Sequence, residues 1–192
     1  MKRLGFALIL VLTLLSQTTS AQDLPEIDEA FKQQLKQAIE SADEFVDKFD
    51  AEVWLKDMHT RLARRASHIP IEERLSILSI AHRHATLNNI SPQLVLAVMQ
   101  IESNFDRFAI SKAGARGLMQ IMPFWKEVIG HEDDNLFDPE TNIKYGCAIL
   151  KIYLDREKRE VRNALARYHG SYPKGYYAKK VVDAWQQNWL YR

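Results

Sequence analysis

Hydrophobic positions along the chain recur at helical spacing almost from end to end, and no convincing series of alternating strands interrupts them. Phe31, Leu35, Ala38, Ala42, Phe45 and Phe49 step by four, three, four, three and four, one apolar stripe on an otherwise charged helix. Asp50 is placed to cap a second helix whose buried side includes Val53, Trp54, Met58 and Leu62. His68-Ile69-Pro70 marks a boundary, since proline disfavours helix at the residue before it. A helix resumes over Ile71 to Ala85 and breaks at Asn88-Asn89. Ser91-Pro92 opens the next one: serine is a favoured cap, and proline is tolerated in a first turn where its missing donor is not needed. Asn104 to Gly117 has loop composition. Helical patterns return over Pro123 to Ile129, Asn142 to Arg156, Val161 to Tyr168 and Tyr176 to Trp189. The expected fold class is therefore mostly α.

The run VLAVMQIESNFD, Val95 to Asp106, carries one carboxylate at the end of a very apolar helix. With about 100° per residue from Leu94 at zero, Val98 falls at about 40°, Val95 at about 100° and Glu102 at about 80°. Glu102 is thus expected between two valines on the buried side. Burial disfavours the charged form of a carboxyl and raises its pKa, which suits a general acid near neutral pH. From the helix alone, a terminal glutamate reaching solvent over the last turn is an equal alternative. Asp106 is the nearest second carboxylate, but the chain leaves the helix near Ser103, so a shared face is not assured.

Composition narrows the surroundings more than the chemistry. The chain of 192 residues is 46% hydrophobic and 27% charged, a globular balance with room for one real core and an added helical segment. Basic and acidic residues nearly cancel, and two of the basic ones, Lys2 and Arg3, stand at the very start. No nucleic-acid footprint follows from such numbers. The basic start, the apolar Leu4 to Leu15 and the small residues of SQTTSA form a secretory signal pattern with cleavage expected after Ala21. The apolar run is short for a membrane span, and no cysteine follows it to be acylated. Periplasmic export is the expectation. Cys147 is the lone cysteine, so no intrachain disulfide forms, and its apolar helical setting makes it a small core residue. Residues 22–68 are expected to form a helical extension packed on the rest, with an envelope protein as its candidate partner. Its mixed charges argue against a basic membrane helix.

The histidines suggest no metal site. His82 and His84 lie two apart, on different sides of a helix. HEDD, His131 to Asp134, lacks zinc-protease spacing and reads as a solvated loop. No cofactor is expected. Trp185 and Trp189, four apart, are expected to bury together.

ESNFDRFAISKAGARGLMQIMP, Glu102 to Pro123, closely resembles the signature of soluble lytic transglycosylases, lysozyme-like bacterial enzymes that cleave peptidoglycan. The matching positions are Glu102-Ser103, Phe105, Ala109, Ser111, Gly114-Ala115, Gly117 and Leu118-Met119-Gln120. FDPETNIKYG, Phe137 to Gly146, matches a second block, and ALARYHGS (Ala164 to Ser171) with YYAKKV (Tyr176 to Val181) matches a third more loosely. The resemblance implies a lysozyme-like catalytic domain over residues 69–192, glycan strands as partner, and a single catalytic carboxylate, Glu102. Glu102 would protonate the oxygen between N-acetylmuramic acid and N-acetylglucosamine, then draw a proton from the muramoyl C6 hydroxyl to leave a 1,6-anhydro end. By position, Ser103 and Ser111 would be polar contacts near the sugar. Met119 and Gln120 would line the groove, with Gln120 offering an amide to an N-acetyl group; the alternative for Met119 is a place in the core. Tyr168 and Tyr177 would position substrate or the Glu102 carboxyl. Three positions depart from the pattern: Arg167 and His169 flank Tyr168 where the family usually has Ala and Asn, and Ile149 stands where a Tyr is common. A goose-type-lysozyme-like hydrolase and a non-catalytic peptidoglycan scaffold remain as alternatives.

Overall fold

A computed structural model describes residues 48–190 and, before them, Glu29 alone. The expected signal segment and the apolar stripe from Phe31 to Phe45 lie outside the described residues. Among these, seven α-helices follow one another: α1 Lys48–Arg65, α2 Ile71–Leu87, α3 Pro92–Glu102, α4 Trp125–Ile129, α5 Pro139–Arg156, α6 Val161–Tyr168 and α7 Tyr176–Ala184. A π-helical turn, Trp185–Trp189, follows α7. No described helix is long and apolar enough to cross a membrane.

Helix starts follow local chemistry. Ser91 caps α3 by accepting from the Leu94 amide, with Pro92 in the first turn. Asp138-Pro139 repeats the device, Asp138 Oδ2 accepting from Thr141 N at 2.9 Å. That cap moves the start of α5 back to Pro139 from the expected Asn142. Asp50 corrects the other way. It lies inside α1, which already runs from Lys48, and not at its start.

The core is built on α3, whose residues Leu94 to Met99 are all buried. This helix packs against α7 and the π-helical turn, while α5 packs against α2 and α6. Trp54, Met58 and Leu62 of α1 join the same core, and Ile69 in the α1–α2 turn is buried with them. Met58 and Leu62 are fully enclosed. The aromatic pair at the C-terminus divides: Trp189 is fully buried edge-on to Phe105, with centroids 5.7 Å apart, whereas Trp185 is only partly covered. Within a π-helical turn a step of four no longer stacks two side chains on one line. Gln100 fastens this turn to α3, its Oε1 accepting from Trp189 Nε1 at 2.9 Å. Cys147 is buried, as its apolar setting implied.

Candidate active site

Residues 103–124 carry no regular helix and close over the C-terminal end of α3. Asn104 and Phe105 both take positive φ, which turns the chain sharply off the helix and sends the Phe105 ring into the core. The segment then folds into a notch held by two isolated bridges, Ile110 to Arg116 and Arg116 to Ile121. Gly117 sits at φ +75 with its α-carbon against Asn142, where an added Cβ would lie 2.4 Å from Nδ2. Only glycine meets both conditions.

Asn142 organises this segment, and sequence reasoning missed it. From the first turn of α5 its Nδ2 donates to the Arg116 carbonyl at 2.9 Å and to the Leu136 carbonyl at 2.7 Å. Its Oδ1 accepts from Met119 N at 2.8 Å. The Asn142 side chain is buried, as are its bonds to Met119 and Leu136, so those two replace bonds that water cannot supply. The only available signal was an amide in the first turn of a helix directly after a capping Asp-Pro.

The cleft that results has a volume of about 390 Å³. Glu102 lies in its wall with Ser111, Lys112, Gln120, Tyr168 and His169. Phe124, Trp125 and Tyr153 add aromatic surface that the sequence did not single out. Tyr168 completes this aromatic lining from α6.

Glu102 ends α3 half-buried, in the direction that the helical wheel gives. Tyr177, in the first turn of α7 and 3% exposed, donates its hydroxyl to Glu102 Oε1 at 2.6 Å. Burial pushes the Glu102 carboxyl up to about 7 from 4.5, while the Tyr177 bond pulls the other way by favouring the carboxylate. The acid therefore holds its proton near neutral pH and has a donor ready for the anion it becomes. Asp106 does not share the site. It is exposed and its Oδ1 accepts from Phe108 N at 2.8 Å within the turn.

The other expected residues fall into two groups. Ser111, Gln120 and Tyr168 do line the cleft. Ser111 Oγ accepts from Ala115 N at 3.0 Å and steadies the loop there. The Gln120 amide nitrogen is committed to the Ala109 and Gly117 carbonyls, at 3.1 and 3.0 Å. The amide oxygen is then the atom left for a ligand. Tyr168 donates to the Met119 carbonyl at 2.8 Å, joining α6 to the loop behind Glu102. Ser103 and Met119 stand differently. Ser103 Oγ donates inward, 2.8 Å from the Leu118 carbonyl, and so ties the end of α3 to the loop. The Met119 side chain is fully buried on Gly146, where a Cβ would lie 2.3 Å from its sulfur. It supports the groove from behind and does not line it.

Charge in the cleft wall is one-sided. Among the described residues Glu102 is its sole carboxylate, against Lys112 and Arg167. Arg167 is paired with Glu157 and lies over the Tyr172 ring, 3.9 Å from the centroid.

Comparison with known proteins places this geometry in a family context. The family model described as Transglycosylase SLT domain matches residues 79–181. A transglycosylase of Enterobacteria phage PRD1 is 43% identical over 82 residues, 43% of this chain and 30% of that protein. The membrane-bound lytic murein transglycosylase C of Actinobacillus pleuropneumoniae serotype 5b (strain L20) is 32% identical over 111 residues, 53% of this chain and 30% of the relative. Its counterpart in Yersinia pestis (strain Pestoides F) is 33% identical over 99 residues, 47% of this chain and 28% of the relative. The matched region spans less than a third of the length of these relatives. Glu102, the cleft loop and Tyr177 all fall inside the family match.

Proposed function

We propose that this chain, which belongs to the transglycosylase SLT domain family, is a peptidoglycan lytic transglycosylase with Glu102 as its acid and base. The fold is the all-α, lysozyme-like one of that family. The observation that carries the reading is a half-buried Glu102 in the cleft wall, bonded at 2.6 Å to an almost fully buried tyrosine. A carboxyl in that position is neutral before reaction and solvated by one fixed donor after it.

In the proposed reaction the Glu102 carboxyl gives its proton to the oxygen linking muramoyl C1 to the N-acetylglucosamine ring. The C1–O bond breaks, and the sugar's own N-acetyl group steadies the positive centre, a substrate-assisted exception to the two-carboxylate scheme. The Glu102 carboxylate, held by Tyr177, then takes the proton of the muramoyl C6 hydroxyl. O6 bonds to C1 and the acid is restored. No water is consumed, and the nucleophile gains from being already attached to the reacting ring. The free oxygen of Gln120 is suited to accept from an N-acetyl N–H. Ser103 and Met119 act behind the wall by holding the loop. Export to the periplasm through the N-terminal segment fits the location of such a substrate.

Mass spectrometry of fragments released from purified sacculi tests the reading. The wild type should yield 1,6-anhydromuramoyl ends, and Glu102→Gln should lose about 10²–10⁴-fold in rate while remaining folded. Reducing ends in place of anhydro ends would identify a hydrolase, and undiminished digestion by Glu102→Gln would leave a scaffold or a different catalytic group.

A further inference from the structure

We propose that His169 is a positioning residue for Glu102, acting through Tyr177. The inference rests on Glu102 being the acid of the proposed reaction. His169 follows α6 directly and caps its C-terminal end. Its imidazole lies flat on the Tyr177 ring, with centroids 4.2 Å apart and planes 18° apart. Tyr176 meets the same imidazole edge-on, at 5.8 Å and 85°. The first turn of α7 is thereby seated on the end of α6 through one ring.

Tyr177 needs such a seat. Its hydroxyl crosses from α7 to the last residue of α3, a bond between elements 75 residues apart in sequence. A hydrogen bond fixes only the tip of a phenol, which still swings about its two side-chain torsions. A flat neighbour fixes the plane of the ring, and offset-stacked aromatic pairs are favoured beyond the area they bury. His169 supplies that plane from the cleft side. Among the described residues its ring nitrogens make no hydrogen bond, so its contribution there comes through its faces.

The charge state is consistent with the role. Burial, and then Lys180 on α7, hold the imidazole below its usual pKa, so the ring over Tyr177 is neutral at neutral pH. A cation here would join Lys112 and Arg167 in the same cleft and favour the ionised form of Glu102. The groups around the pair are Tyr176, Tyr177 and Lys180 from α7, Tyr168 and Arg167 from α6, and Glu102 from α3. An asparagine, the usual residue of the family pattern at this point, offers no comparable face.

Three variants test the proposal with sacculi as substrate, reading kcat, KM and the pH profile. His169→Leu keeps apolar cover over the site but has no flat face. It should lower kcat about tenfold through misplacement of the acid, with KM within about twofold. Its ionisation limb should move up, because a loosened Tyr177 bond favours the carboxylate less. His169→Phe restores the face without the nitrogens and should return both kcat and the limb to wild type. In a Tyr177→Phe background, His169→Leu should cost nothing more, the coupling expected of two residues acting through one bond. If His169→Phe is as damaged as His169→Leu, the imidazole nitrogens matter and the proposal falls. Additive losses in the double variant, or a wild-type profile for His169→Leu, also overturn it. Should His169→Leu fail to fold by thermal unfolding, His169→Asn supplies the faceless side chain for the same comparisons. Full activity of Glu102→Gln would remove the acid role itself, separately from any of these results.

Discussion

Replacing Tyr177 by Phe removes one oxygen and leaves the buried ring in place. The lost bond is short, 2.6 Å, and its acceptor is the carboxyl whose pKa stands at about 7. A hydrogen bond to a charged group is worth about 1.5–3 kcal/mol. That energy stabilises the carboxylate more than the acid, so its removal should raise the Glu102 pKa by about one to two. The limb reporting Glu102 ionisation should therefore move from about 7 toward about 8 to 9.

The same energy appears a second time in the rate. In the proposed reaction proton donation leaves Glu102 ionised, and the transition state carries part of that charge. Losing a donor that strengthens as the charge develops should lower kcat about 10–100-fold while KM changes little. The assay is the release of anhydromuramoyl fragments across pH 5 to 9, with thermal unfolding as the control for folding. The reasoning fails if the limb stays still or moves down. It also fails if kcat is lost with an unmoved limb, because one bond is asked to explain both effects.

Other expectations concern stability. Asn142→Ala strands the Met119 amide and the Arg116 and Leu136 carbonyls in a buried site. It should destabilise the domain by about 3 kcal/mol, measured by denaturant unfolding, with activity lost in parallel because the cleft loop detaches. Glu102→Gln should be more stable than wild type in alkali. The Glu102 pKa is raised by folding, so its contribution to stability is intact below 4.5 and lost as pH rises through about 7. At about 1.4 kcal/mol per pH unit the carboxylate costs about 3 kcal/mol at pH 8, a cost the neutral amide lacks. Equal unfolding midpoints of the two proteins at pH 8 would contradict the burial assigned to Glu102.

The helical plan was largely legible because the core is made by periodic faces, and α3 shows this best: Leu94 to Met99 are apolar in sequence and buried in the fold. What escaped were effects of tertiary packing on local signals. Asp138-Pro139 carries the same capping chemistry as Ser91-Pro92, yet the apolar pattern of α5 gathers strength only after Asn142 and hides the earlier start. Trp185 and Trp189 lost their expected pairing because the chain changes to π-helical geometry at that point, which no spacing rule anticipates. Ser103 and Met119 were placed in the groove by resemblance, and position in a motif does not say which way a side chain points. The loop folds so that Ser103 Oγ turns to Leu118 and the Met119 sulfur turns to Gly146.

Glu102 itself is the instructive case. The wheel placed it between two valines, but a helix supplies only one side of an environment, and a terminal residue has open space beyond it. Its burial depends on a loop folded back by the positive φ of Asn104 and Phe105 and pinned by Asn142 from another helix. The partner that tunes it, Tyr177, lies 75 residues away. An acid of this kind is thus a property of three elements brought together: α3 presents the carboxyl, the loop closes it off, and α7 supplies the donor. It follows that changes far from the carboxyl should act through its pKa and not only through substrate contact. Lowering the pKa toward 4.5 by loosening the loop would leave Glu102 ionised, with no proton to give near neutral pH. The wall that excludes water is in that sense part of the acid.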